Sequence, residues 1–174
     1  STSLILAHDI VASRARGMKI VAVDPRRVGI ASQADLLLQV RPGADGALAL
    51  ALVHVLIKEG WYDADFARQW TNGPFLLRAD TGEALTEADL APAGRADRYV
   101  VWDEITDRPA IYNPASGSFE RDGVHPRLFG ETTVRDRDGR AISCRTALQA
   151  LAEVASRHAP ERSAEITWVP ADIV

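Results

Sequence analysis

The chain has 174 residues, 47% hydrophobic and 25% charged, with 20 Lys plus Arg against 24 Asp plus Glu for a net charge of −4. At about 150 residues per domain this length predicts one domain or one with a sizeable insertion, and the composition excludes collagen-like, low-complexity and wholly disordered classes. The mild acidity supplies no broad basic field for a phosphate backbone, so no nucleic-acid partner is expected. The one cysteine, Cys144, cannot form an internal disulfide, and alone it cannot hold an iron–sulfur cluster or a cysteine-ligated zinc. The longest apolar stretch, residues 47–57, is interrupted by His54 and falls far short of the roughly 20 residues that cross a bilayer, so no membrane span is expected.

In chain order, apolar residues near helical spacing over 4–16 and the stop signal Gly17 predict a first helix. Residues 19–23, a short and largely apolar β-branched run, end abruptly at Asp24-Pro25, as a buried parallel strand would. Residues 29–33 read as one helical turn, and Leu36-Leu37-Leu38-Gln39-Val40 as a second strand. Arg41-Pro42-Gly43-Ala44-Asp45 is turn chemistry, with Asp45 suited to N-cap the helix over 46–60, whose nearly continuous apolar character predicts burial on most sides. Asp63 or Asp65 opens a short helix through Trp70. Residues 71–145 turn rich in Gly, Pro, Asp and Arg, with alternating pieces around Tyr99–Trp102 and Thr132–Val134, and read as a β-hairpin-containing insertion. Helical spacing returns over 146–158, Pro160 opens another helix to about Ile166, and Trp168-Val169-Pro170 closes it. This order suits an α/β layered domain.

Two loops could carry chemistry. Asp24 stands at the carboxyl end of a strand, where open parallel sheets place ligands and where a carboxylate accepts hydrogen bonds from a ribose or base; an Asp-Pro also simply ends a strand. Arg26 and Arg27 add two cations at the same rim, suited to phosphate or to solvated ion pairs. In the second loop, Gly43 lets a ligand approach the backbone, and the helix start at Asp45 favours anions, while a carboxylate there can accept two N–H groups from a guanine edge; the alternative is a turn and a cap. Neither G-x-G-x-x-G nor G-x-x-x-x-G-K-[ST] occurs, so a standard dinucleotide fingerprint and a P-loop are both excluded. His8, His54, His125 and His158 have no metal-ligand spacing, Cys144 has no identifiable partner base and reads as a packed thiol, and no serine sits in a G-x-S-x-G elbow. No catalytic residue and no metal ligand is assigned.

Taken in order, residues 17–27, then Ala31 and Ala34-Asp35-Leu36, then residues 40–51 resemble the molybdopterin oxidoreductase family, the group of dimethyl sulfoxide reductase, formate dehydrogenase and nitrate reductase relatives. The likeness continues through residues 53–57, Glu59-Gly60, Tyr62-Asp63 and Phe66, and returns at Ala159-Pro160-Glu161, residues 164–167 and Val169-Pro170-Ala171. It covers roughly residues 5–75 and 145–174. The resemblance implies a dinucleotide-binding-like (Rossmann-like) α/β domain over 1–74 and 145–174, its first strand cut off before Ser1, interrupted by a variable insertion at 75–144. It further implies a fragment of a catalytic subunit that uses bis-molybdopterin guanine dinucleotide with molybdenum or tungsten. Asp24, Pro25 and Arg26 would then lie near the ribose or phosphate of the cofactor's guanosine end, and Pro42, Gly43 and Asp45 would recognise guanine. Ala44 stands where family members usually carry Thr or Ser.

A [4Fe–4S] cluster belongs, on this resemblance, to the parent enzyme and not to this segment, and the metal ligand also falls outside it. The implied partners are electron-transfer subunits and the remainder of the catalytic subunit. Alone the chain would be inactive, and cytoplasmic and periplasmic settings are equally compatible. A reading from a different class is a non-catalytic interaction or structural module, packing against a partner chain through the apolar helix over 46–57 and the Trp-bearing insertion.

Overall fold

The β-branched run before Asp24 and the leucine run after Asp35 lie side by side in the computed structural model, which describes the backbone of residues 4–174 and side chains from residue 9 onward. Strand β1 (Val21–Val23) pairs in parallel with β2 (Leu36–Leu38), Val21 opposite Leu36 and Val23 opposite Leu38. A 3₁₀ turn over Gly29–Gln33 occupies the connection, and the Asp35 carboxylate takes the Ile20 amide at 2.9 Å and Lys19 Nζ at 3.2 Å. These bonds hold the Asp35 carboxyl below its usual range, the Ile20 amide foremost. Helix α1 (Leu4–Ala15) precedes β1 and ends at Gly17, whose amide donates to the Arg14 carbonyl at 2.9 Å and whose φ of 96° turns the Met18 amide back onto the Ser13 carbonyl at 3.1 Å.

The chain forms a mixed α/β structure of two compact units, residues 1–59 with 155–174 and residues 60–154, the boundary falling within α5 (Ala147–Ser156). In the first unit α2 (Asp45–Lys58) packs against α6 (Pro160–Thr167). Leu38, Val40, Ala44, Leu48 and Val169 make the core, flanked by Ile166 and Val174. Two expectations need correction. β1 is parallel but not buried: Val21 is 61% and Val23 50% exposed, because burying a parallel strand requires layers on both faces and β1 has β2 as its one paired neighbour among the described residues. Likewise α2 buries Leu48 and Ala51 while Leu52 and Leu56 remain exposed, so its apolar character exceeds the face that α6 and the sheet cover.

The second unit contains α3 (Ala64–Trp70), capped by the Asp63 carboxylate on the Phe66 amide at 2.9 Å, and two antiparallel three-stranded sheets. One sheet runs β3 (Leu76–Arg78), β8 (Ala141–Thr146), β7 (Glu131–Arg135); the other runs β4 (Tyr99–Asp103), β5 (Arg108–Asn113), β6 (Ser118–Phe119). The hairpin pieces expected around Tyr99–Trp102 and Thr132–Val134 fall in β4 and β7. Leu76, Leu85, Val100, Val134, Ile142 and Cys144 form the core. A short α4 (Glu87–Leu90) starts where Asp89 accepts the Thr86 amide and hydroxyl, both at 2.8 Å. Gly94 lies against it so closely that a Cβ would meet the Glu87 carbonyl oxygen at 2.2 Å.

Asp103, 1% exposed at the end of β4, organises the loops of this unit. It accepts the Thr106 hydroxyl at 2.6 Å, Arg121 Nη2 at 2.7 Å, and the His125 and Ile105 amides at 3.0 and 3.2 Å. Burial pushes its carboxyl up, but the hydrogen bonds from Thr106, His125 and Ile105 and the Arg121 charge outweigh it and hold the group at about 2. A depressed folded-state value means that the stabilisation is complete above the ordinary 3.8 and is lost as pH falls towards about 2. Asp103→Ala is therefore expected to lose about 2–3 kcal/mol in urea unfolding at neutral pH and to flatten the stability change between those pH values. Unfolding curves that coincide with wild type would refute this role.

Candidate functional site

The two strand ends that the sequence singles out turn into loops of defined geometry. Beyond β1, the Asp24 amide still donates to the Leu38 carbonyl at 3.2 Å, and Asp24 Oδ1 accepts the Arg26 amide at 2.7 Å, closing a tight turn around Pro25. The Arg26 side chain is 76% exposed, with Nε 4.0 Å from the Asp24 carboxylate. Beyond β2, Gln39 Nε2 donates to the Pro25 carbonyl at 2.9 Å and so joins one loop to the other. Val40 is buried, and the Arg41 amide donates to the Thr167 carbonyl at 2.8 Å. The turn then closes with the Ala44 amide on the Arg41 carbonyl at 3.0 Å and Gly43 at φ 84°.

Here the expected cap is displaced by one residue. Ala44, not Asp45, is the N-cap of α2, its carbonyl taking the Ala47 and Leu48 amides, and no side chain caps the helix. The cap position faces the core between Leu38, Val40 and Leu48, where an apolar side chain is stable and a carboxylate is not. Asp45 instead stands exposed in the first turn, where its charge favours the helix dipole.

A cleft of about 460 Å³ opens between the loops, lined by Pro25, Arg26, Gln39, Val40, Pro42 and Trp168. Three of the six residues singled out, Pro25, Arg26 and Pro42, thus line one space. Asp24 braces the first loop from behind, Gly43 supplies the left-handed turn of the second, and Asp45 and Arg27 lie outside the lining. Gln39, Val40 and Trp168 are the lining residues that the sequence did not single out as site residues. Trp168 is 67% exposed, with the Arg41 guanidinium 5.4 Å from its ring centroid.

The other candidates are placed as follows. His54 is half-buried on α2, His125 Nδ1 lies 3.0 Å from Glu104, and the side chain of His8 falls outside the described residues. Among the described residues no group of three or more His, Cys, Asp or Glu is arranged to hold a metal ion, and no helix is long and apolar enough to cross a membrane.

The model of the molybdopterin oxidoreductase family matches residues 2–160. This chain belongs to that family. Among molybdopterin oxidoreductases it is similar to the alpha chain of the perchlorate reductase of Dechloromonas aromatica, 31% identical over 95% of this chain and 20% of that protein. It is also similar to the alpha chain of the dimethylsulfide dehydrogenase of Rhodovulum sulfidophilum, at 29% over 97% and 18% respectively, and to a sulfite dehydrogenase subunit of Allochromatium vinosum, at 29% over 91% and 16%. The chain spans about a fifth of the length of these curated relatives.

Cys144 takes no part in this site. Its Sγ lies 3.7 Å from the Ile142 carbonyl, and burial pushes the thiol up to about 11 against the opposing pull of Arg78. As the one thiol in the chain it is expected to be silent towards an aromatic disulfide reagent at pH 8 until denaturant is added, then to react stoichiometrically. Rapid labelling of the folded chain would contradict its burial.

Proposed function

We propose that this chain is the part of a molybdopterin-dependent oxidoreductase catalytic subunit that holds and orients the guanosine end of a bis-molybdopterin guanine dinucleotide cofactor. The observation that carries the reading is the convergence of Pro25 and Arg26 with Pro42 on one cleft at the ends of two parallel strands. The parallel pair with helices beside it supports a dinucleotide-binding-like layer. The donor set suits a nucleotide: a guanidinium for phosphate oxygens, a carboxylate turn for a ribose, and a glycine turn that leads into a helix start.

In this reading Arg26 pairs with the phosphate at little desolvation cost, because its side chain already stands in water. Asp24 retains acceptor capacity beyond the one bond that it makes to the Arg26 amide. Asp45, at the edge of the second loop, accepts the N–H groups of guanine, with Pro42 and Gly43 fixing its approach. When the cofactor is bound, its molybdenum or tungsten supplies electron or oxygen-atom transfer, and that chemistry lies outside this segment.

The partners are electron-transfer subunits and the remainder of the catalytic subunit. Exposed Val21 and Val23 on β1, and Trp61, Phe66 and Trp70 in the second unit, support coverage by further polypeptide, which is also what the interaction-module reading requires.

Calorimetric titration of the folded, cofactor-free chain with GDP is expected to show saturable binding, weakened by Asp45→Ala by about 1–3 kcal/mol through loss of a charge-assisted acceptor. Absence of GDP binding by a chain whose melting transition shows it folded would overturn the nucleotide reading and leave the interaction module.

A further inference from the structure

Trp168 has a backbone conformation that its side chain opposes. It is the residue after α6, at φ 66° and ψ 4°, and among the described residues it and Asp107 are the two non-glycine residues with positive φ. A helix end of this kind is satisfied by glycine at no steric cost, whereas a bulky side chain there is an outlier that persists when something else compensates it. Burial does not compensate it, since the indole is 67% exposed. The backbone alone does not require tryptophan either, because the Trp168 amide donates to the Ala164 carbonyl at 3.0 Å, a bond any residue but proline could make.

What the conformation achieves is placement. Trp168 lines the cleft with Pro25, Arg26 and Pro42, and the Arg41 guanidinium lies over its ring. Its neighbours on both sides, Thr167 and Val169, are buried and anchored, so the exposed indole is carried on a fixed base. A planar, electron-rich surface held beside an exposed guanidinium matches a nucleotide in both parts, base on ring and phosphate on cation.

We propose that Trp168 is the base-stacking residue of this cleft, with Arg41 holding the indole in position. The inference rests on the nucleotide reading above and adds a residue and a mode of contact to it. The base stacks on the indole while Arg26 meets the phosphate, so recognition of the planar base is separable from recognition of charge.

The test uses GDP and base-free inorganic pyrophosphate as probes for the wild-type chain and for W168F, W168A and W168G, with affinity, indole emission and melting temperature recorded. GDP is expected to quench indole emission in wild type, and W168F is expected to bind it within about threefold of wild type. W168A and W168G are expected to bind GDP about 5- to 100-fold more weakly with unchanged pyrophosphate affinity. W168G should melt above W168A, since glycine accepts the left-handed backbone that alanine resists. GDP affinity equal to wild type in W168A and W168G would overturn the proposal, as would a parallel loss of pyrophosphate binding, which marks a merely structural role. Loss of GDP binding in R26A and D45A together with none in W168A would refute stacking and leave the cleft assignment standing. Failure of the folded wild-type chain to bind GDP removes the nucleotide reading itself.

Discussion

The Arg41 amide donating to the Thr167 carbonyl ties the end of β2 to the end of α6, and the geometry of the cleft depends on it. On one side of this bond the chain enters the turn that closes on the Arg41 carbonyl and starts α2. On the other side the Thr167 hydroxyl donates to the Ser163 carbonyl at 2.8 Å and accepts the Val169 amide at 3.2 Å, so both the hydroxyl and the carbonyl of the fully buried Thr167 are engaged. Val40 and Val169, nearly inaccessible, flank the junction and exclude water from it. A backbone hydrogen bond in such surroundings contributes little net stability, about 1 kcal/mol, but leaving it unmade costs more, and that asymmetry fixes the two segments in one register.

The cleft therefore has a packed floor and a hydrated rim. Its rigid parts are backbone: the Asp24 turn, the Gln39 bridge to the Pro25 carbonyl, and the left-handed Gly43. Its charged parts, Arg26 and Arg41, remain exposed. This division suits anion binding, because preorganised loops reduce the ordering cost of association and solvated cations avoid the desolvation penalty that buried ones incur. A ligand would lose little by replacing water at such a rim.

Much of this was readable in the sequence because it is local. β-branched and leucine runs mark the strands, Asp24-Pro25 and Pro42-Gly43 mark their ends, and Pro160 marks the start of α6, each through conformational preferences that act within a few residues. Trp168 could not be placed at the cleft by such signals, since its position follows from the long-range bond between Arg41 and Thr167. The exposure of β1 was equally unreadable, because an apolar run specifies what a strand can bury and not whether a layer is present to cover it. α4 carries too few residues for periodicity and is set by Asp89 and the close approach of Gly94. The Asp103 network assembles four donors, two from the adjacent turn at Ile105-Thr106 and two from Arg121 and His125 about twenty residues on, and no spacing rule collects them.

The parallel register of β1 and β2 is what turns two sequence-local loops into one cleft. With Val23 opposite Leu38, both strands finish on the same side, and Asp24-Pro25-Arg26 emerges beside Gln39 and the turn that follows it. An antiparallel pairing of the same two runs would send the Arg26 loop and the Pro42 loop to opposite ends of the sheet, and neither alone lines more than one wall. Parallel strands need a crossover connection, supplied here by the segment containing Gly29–Gln33, so the ladder and the crossover together bring both loops to the carboxyl ends of the pair, the edge at which open parallel sheets place ligands. The chemistry of the rim follows from that topology: whatever residues leave the two strand ends face one another across the cleft, and in this chain they are a guanidinium, two prolines and, brought in by α6, an indole.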